Sequence, residues 1–412
     1  MSSVVATKDA NAKVTVKTPH GPLNLSESQA KTQFVPSIDV VRTFTPNTTG
    51  SFSTYSEWLL DPASCPDHVT KITYSITLSA ATKTGGTVIS LVGDVNWLSR
   101  LIEVSIGPEL IQSIYPENGF TQNLLHLNNE TKAKVLPAAG NLALATRQSH
   151  TAAGQTLYMD LPISFIQKYG WLTKSHAAPL RVRIYHADLT TIVDTDGTAP
   201  VMSISAQSLN VAGRSFQHQA SLGAVVAAQR KLGRVDTRVL DVIQQQTALA
   251  SGSSVYTVQL QSFVGVFDHI TFVVRASSSV STALGNAPDN FVAVSSYNMK
   301  DSGGNMLVPE ITSAYALGPY LGSYVTGDAT DIYSGLGVTQ RNIYTIFWGS
   351  RPEESLRKGT GHGYSKLTGL EKLQVTFPSA IGSNYVIDVI GYVWANVSAD
   401  ANGNVKKTLV SA

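Results

Sequence analysis

This chain is short of the residues that usually carry chemistry, and short of charge. Its 412 residues include a single cysteine, Cys65. One thiol closes no internal disulfide, and no CxxC or Cys/His pattern is left to hold a structural zinc. Cys65 lies in the turn-rich DPASCPDH, a poor setting for a nucleophile. Charged residues make up only 14% of the chain, against a usual ~25%. Thirty basic and 28 acidic residues leave a formal charge of +2. No field of one sign draws in nucleic acid or a membrane surface. A surface so poor in charge suits one that other subunits cover. No stretch reaches the ~18 consecutive apolar residues of a membrane-spanning helix. The start, MSSVVATKDANAKVTVKTPHG, lacks a basic n-region followed by an apolar h-region, so it is not expected to be a secretory signal. On that expectation the Asn-x-Ser/Thr triplets at Asn47, Asn129 and Asn396 stay unglycosylated.

Motifs are missing too. The nine histidines (His20, His68, His126, His150, His176, His186, His218, His269 and His362) form no HxH and no HExxH. That argues against cupin-type jelly-roll metalloenzymes and zincins. The run GTGHGYS at 359–365 has GxGxG spacing, not the GxGxxG of a dinucleotide fingerprint. It also lacks the GK[ST] of a P-loop. Its glycines read as turn residues that supply positive φ or close approach, with His362 an ordinary loop residue. Two close carboxylate pairs, Asp328/Asp331 and Glu353/Glu354, read as turn caps and a solvated loop. Glycosidase chemistry would need its carboxyls facing each other across a cleft. The serines, such as Ser277–Ser281, sit in no nucleophile elbow or triad order. No catalytic, cofactor-binding or metal-ligating residue is assigned, no cofactor or small-molecule substrate is expected, and the chain is not read as an enzyme.

Strand pattern is abundant by contrast. In His68–Ala80, Ile72, Tyr74, Ile76 and Leu78 alternate with Lys71, Thr73, Ser75 and Thr77, a strand with one buried face. Leu180–His186 alternates Val182 and Ile184 against Arg181 and Arg183. Further candidates are 203–210, 255–261, 270–275, 342–348, 373–377 and 385–397, rich in Thr, Val, Ile and Tyr between Gly, Pro, Asn and Asp. Helical pattern is sparse: 97–102, 163–169 and 222–232. Many turn-spaced strands with few helices predict an all-β sandwich or barrel protein. The length exceeds one sandwich, so the expected organisation is a polar arm over 1–36, a sandwich over 37–215, a linker with a short helix over 216–236, and a second sandwich over 237–412. The arm, with Lys8, Lys13, Lys17 and Lys31, is expected to order only on a partner.

Four segments, in order and spacing, carry a family likeness. In Asp94–Leu125, Val95-Asn96 precedes an apolar turn, then a strand (Leu101, Ile102, Val104, Ile106), then Tyr115-Pro116 and an apolar helix ending at Leu124-Leu125. In 157–184, Leu161-Pro162 ends a strand, Phe165 sits in a short helix, and Leu180, Val182 and Ile184 form a returning strand. In 268–307 the polar turn Asp301-Ser302-Gly303-Gly304 follows a strand-rich stretch. In 343–377, Tyr344 and Phe347 lead through Pro352 to Gly359, Gly363, Tyr364 and Ser365, then Leu370 and Leu373. Together these resemble the double jelly-roll major capsid proteins of tailless icosahedral viruses: the tectivirus, adenovirus, polinton-like and nucleocytoplasmic large DNA virus lineage. Two positions depart from the pattern: Gly107-Pro108 stands for Asn-Gly, and Gly363-Tyr364-Ser365 for Asn-Phe-Ser.

The resemblance implies two tandem eight-stranded jelly rolls and an obligate homotrimer of pseudo-hexagonal outline. It implies tiling into an icosahedral shell beside neighbouring capsomers, penton and minor capsid proteins, with the protein located in the virion. The arm would lie beneath the shell, against neighbours, an internal membrane or the genome. Two other readings stay open at this point. A single-sandwich RNA-virus coat or spike protein would show one sandwich where two are expected. A carbohydrate-binding or carbohydrate-cleaving sandwich would set some of Trp58, Trp97, Trp171, Trp348 and Trp394 along a cleft; their dispersal favours core packing.

Overall fold

The computed structural model describes residues 14–18, 21–25, 37–87, 89–127, 129–175, 178–216, 237–277, 291–321, 342–348, 365–399 and 404–410. Sixteen strands build two sandwiches. The first holds β1 (Ser37–Phe44), β2 (Tyr55–Leu60), β3 (His68–Leu78), β4 (Ser99–Ile106), β5 (Glu109–Ile114), β6 (Gln155–Asp160), β7 (Leu180–His186) and β8 (Ile204–Phe216). The second holds β9 (Thr237–Leu249), β10 (Val255–Gln259), β11 (Val264–Ala276), β12 (Ser296–Lys300), β13 (Met306–Thr312), β14 (Ile343–Phe347), β15 (Lys372–Thr376) and β16 (Tyr385–Ala399).

The strand orders identify the architecture. The first sandwich pairs β6-β3-β8-β1 in one sheet and β2-β7-β4-β5 in the other. The second pairs β14-β11-β16-β9 and β10-β15-β12-β13. Each strand of the second occupies the place of the strand eight numbers earlier in the first. Every pairing is antiparallel. Both are eight-stranded jelly rolls, so the choice between one sandwich and two falls on two. Strand Ser365–Thr368 adds to β11, and strand Val405–Leu409 adds to the end of β16.

Side-chain patterning sets which faces are covered. Along β3, Ile72, Tyr74, Ile76 and Leu78 are buried while Thr73, Ser75 and Thr77 are half-exposed. That is a sheet with one open face. Along β11 the run Val266–Arg275 is buried without a break, the mark of a sheet covered on both faces. The β4–β5 hairpin closes through Gly107-Pro108, with Ile106 opposite Glu109 and Gly107 at φ +58. A glycine first in a two-residue turn suits the II′ hairpin, so Pro108 is accommodated here. Gly391, in mid-β16, lets two stacked rings approach: a Cβ there would lie 2.3 Å from Phe263 and 2.6 Å from Phe267.

Several local expectations change. The helix expected at 97–102 is a single 3-10 turn, Val95–Leu98, that gives way to β4. The helix expected at 163–169 is α4 (Ser164–Tyr169). Between β5 and β6 lie three helices: α1 (Pro116–His126), α2 (Asn129–Ala138) and α3 (Leu144–Ala153). Only α1 was expected; Pro137 inside α2 hid its pattern. Within the polar arm, Val14–Thr18 and Gly21–Leu25 pair as an antiparallel hairpin. The two segments, VTVKT and GPLNL, are too short for their alternation to stand out in the sequence. The helix expected at 222–232 lies outside the described residues.

Candidate functional site: a buried seam and open sheet edges

The densest polar chemistry lies between the sandwiches. Pro116 opens α1 at its first turn, where a missing N–H costs nothing, and Glu117 follows it. This turn is set against the outer face of β14-β11-β16-β9. Arg275 of β11 donates from Nη2 to Glu117 Oε1 at 2.7 Å. Its Nε lies 2.9 Å from Asp388 Oδ2 of β16. That contact is a close ion pair without hydrogen-bond alignment, since both atoms lack a directed partner. From β9, Gln244 Nε2 donates to Glu117 Oε2 at 3.1 Å and Gln246 Nε2 to Asp388 Oδ1 at 2.8 Å. Tyr392 donates its hydroxyl to Asn118 Oδ1 at 2.7 Å. The Arg275 guanidinium also lies 5.6 Å from the Trp97 ring. All of Glu117, Arg275 and Asp388 are buried.

Apolar groups surround this seam. Trp97, Phe120, Leu124, Leu125 and Leu136 from the first half form one cluster with Val273, Phe291, Leu321, Ile343 and Phe347 from the second. Phe120 meets Phe291 edge-on with centroids 5.9 Å apart. Val239, Ala395 and Val397 of β9 and β16 belong to the first sandwich's own core. Lys407, on the C-terminal strand, ties the halves again: its Nζ reaches Asp241 Oδ2 at 2.6 Å and donates to the Ile111 carbonyl at 3.0 Å. Sequence reasoning had no signal for this seam, because Glu117, Arg275 and Asp388 sit in three unrelated stretches.

Burial, with a smaller push from Glu117, raises the Asp388 carboxyl from its ordinary value to about 6, against the pull of Arg275 and Gln246. The folded state therefore holds a proton there that the unfolded chain releases near pH 3.8. Between those values the folded chain binds more protons, so stability must fall as pH rises. The contribution is fully present below about pH 4 and is lost through about pH 6, roughly 2–3 kcal/mol in all. Chemical denaturation of the native chain and of Asp388→Asn between pH 4 and 7 should show a stability difference that changes by this amount. A pH-independent difference would refute the assignment.

Apolar side chains stand exposed on the sheet edges. They include Ile38 and Val41 on β1, Tyr55 and Leu59 on β2, Leu110 on β5, Tyr158 on β6, Val255 on β10, and Met306 and Leu307 on β13. Exposed edges with apolar side chains are a pairing liability in a free monomer, and they suit coverage by other chains.

The other candidates resolve as follows. Cys65 is buried, and burial pushes its thiol up to about 12, far from a reactive thiolate. Trp58, Trp97, Trp171 and Trp394 are buried and Trp348 is half-buried, so none forms an exposed aromatic platform. One contact was not foreseen: Ser56 Oγ lies 2.9 Å from His186 Nε2. Both are buried inside the first sandwich, and burial holds the imidazole near 4, so it stays neutral. His186 Nδ1 meets no carboxylate among the described residues, and the pair lacks the orienting third member of a triad. Among the described residues no three His, Cys, Asp or Glu side chains gather as a metal site, and no helix is long and apolar enough to cross a membrane. Asp328, Asp331, Glu353, Glu354, His362 and all of GTGHGYS except Ser365 lie outside the described residues. Ser365 opens the strand that pairs with β11.

The fold is that of double jelly-roll capsid proteins. The structure aligns with the PBCV-1 virus capsid in its quasi-atomic model at a TM-score of 0.63, over 91% of this chain and 97% of that chain, with 11% identity. It aligns with the Faustovirus major capsid protein at 0.62, over 92% and 91%, with 8% identity. For the Sputnik virophage the values are 0.59, 91% and 89%, with 10% identity. No family model matches the sequence, and no curated protein aligns with it. At such identities the likeness is one of fold, carried by topology and length.

Proposed function

We propose that this chain is the major capsid protein of a tailless icosahedral virus and works by assembly, without catalysis. The observation that carries this reading is the repeated eight-strand order, with the two sandwiches joined through the α1 seam. Two similar wedges per chain give six wedges in a homotrimer, an outline that tiles a shell. Low charge, apolar edges and full-length similarity to capsid folds support it. Neighbouring capsomers, penton and minor capsid proteins would be its partners in the virion. The arm over 1–36 would meet an internal membrane or the genome beneath the shell.

Light scattering on the purified full-length chain tests the core of this proposal. The expected particle has three times the 43.9 kDa chain mass and a pseudo-hexagonal outline in negative stain. A monomer that persists at high micromolar concentration would overturn it.

A further inference from the structure

We infer that the start of helix α3 is a binding site for a small oxyanion of the phosphate class, a role that stands apart from the assembly reading above. Arg147, on α3, carries the inference. Arg147 and Arg275 are both buried, at 8% and 4% exposure. Arg275 is held between two carboxylates. Among the described residues no carboxylate pairs with Arg147, and its Nε is sealed from solvent without an acceptor. A buried cation with no counter-charge is costly. An anion from outside the chain would answer it.

Helix geometry aims the guanidinium. Arg147 is the fourth residue of α3, and side chains on a helix lean back toward its N-terminus. The guanidinium therefore lies over the first turn. One turn further on, Thr151 fixes this face inward: its Oγ1 donates to the Arg147 carbonyl at 2.7 Å and accepts from the Leu91 N–H at 3.0 Å. The first turn itself offers donors. Ala143 at the N-cap supplies no capping side chain, and no acidic residue stands in the turn. Free N–H groups at a helix start, with the helix dipole behind them, favour an anion. Asn141, two residues before the cap, is 5% exposed, and its Nδ2 is buried without an acceptor. Its backbone N–H is held by the Leu136 carbonyl at 2.9 Å. A charged donor and a neutral one, each more than nine-tenths buried and each unanswered, thus belong to one uncapped helix start. Ala145 and Thr146 are exposed, so that start opens to solvent. No Asp or Glu occurs between Glu130 and Asp160, so neither α3 nor the turn before it offers a competing carboxylate. A tetrahedral oxyanion can accept from a guanidinium, an amide and helix N–H groups together, more donors than the two oxygens of a carboxylate serve well.

Thermal unfolding of the full-length chain in inorganic phosphate tests this, with chloride and acetate at matched ionic strength as controls. Phosphate in about tenfold excess over its dissociation constant should raise the melting temperature by about 1–3 °C above chloride, and the rise should follow a single-site curve. Arg147→Met should lose the phosphate response. In chloride it should melt no lower than the native chain, because it removes an unpaired buried charge; a purely structural arginine would give a lower melting temperature. Ala143→Asp places a carboxylate at the N-cap, so it should also abolish the phosphate response, with the melting temperature in chloride equal or higher. If Arg147→Met does not fold, Ala143→Asp gives the same readout. A native chain that melts alike in phosphate and chloride overturns the site. So does a phosphate response that survives in either variant. An equal rise in acetate overturns the choice of phosphate.

Discussion

Replacing Arg275 with methionine should destabilise the folded chain by about 3–5 kcal/mol at neutral pH. The guanidinium sits between two buried carboxylates, Glu117 on α1 and Asp388 on β16. Removing it leaves two buried carboxylates without their cation, and that penalty exceeds the worth of the ion pairs themselves. Denaturant titration followed by fluorescence would measure the loss. Two further results separate this account from simple loss of packing. Lowering the pH to about 5 should return part of the stability, since Asp388 then takes up a proton. Adding Glu117→Gln and Asp388→Asn to the Arg275→Met chain should return most of it, because the neutral side chains no longer need a cation. If the triple variant is as unstable as the single one, buried charge is not what Arg275 answers.

The effect would reach assembly as well. If the chain assembles as proposed, a ring of six wedges closes only at one angle between the two sandwiches, so a chain weakened at the seam should fold its sandwiches and assemble poorly.

How legible this was depends on the range of the forces involved. Alternation in His68–Ala80 and Leu180–His186 located β3 and β7 closely, because an open sheet face writes period two directly into the sequence. Val264–Ala276 was only half seen, from 270 onward. Its second face is buried by helix α1, and a strand covered on both sides loses its alternation. Helices α2 and α3 were missed because they answer to their neighbours. NETKAKVLPA and LATRQSHTAA carry little apolar period of their own, and Leu136 is buried in the mixed cluster that joins the two halves. The strand repeat was invisible for a related reason: jelly-roll topology fixes which faces are apolar, and many residues satisfy that requirement. The ionic seam could not be read at all. Glu117, Arg275 and Asp388 meet through tertiary contact, and each looks locally like a surface charge. GTGHGYS, which resembled a binding loop only by its glycines, contributes a single described residue, Ser365, to a strand.

Phe120→Ala should uncouple what Arg275 aligns. Phe120 is buried between Trp97 of its own half and Phe291 of the other, with both ring centroids 5.9 Å away. It leaves a cavity in the cluster that joins the halves, so the expected cost is about 3–5 kcal/mol. The location of that loss matters more than its size. Truncating Phe272, which lies wholly inside the second core against Tyr297 and Tyr344, should lower stability by a similar amount and keep the native pattern of unfolding. Truncating Phe120 removes contact between two units that each keep their own core. Their transitions should then separate in calorimetry, with the native chain melting as one unit because the cluster around Phe120 joins the halves. A Phe120→Ala chain that still melts in a single transition, displaced no further than Phe272→Ala, would mean the helical layer is a passenger on the second sandwich. The coupling would then have to reside in β9, β16 and the Lys407 tie instead.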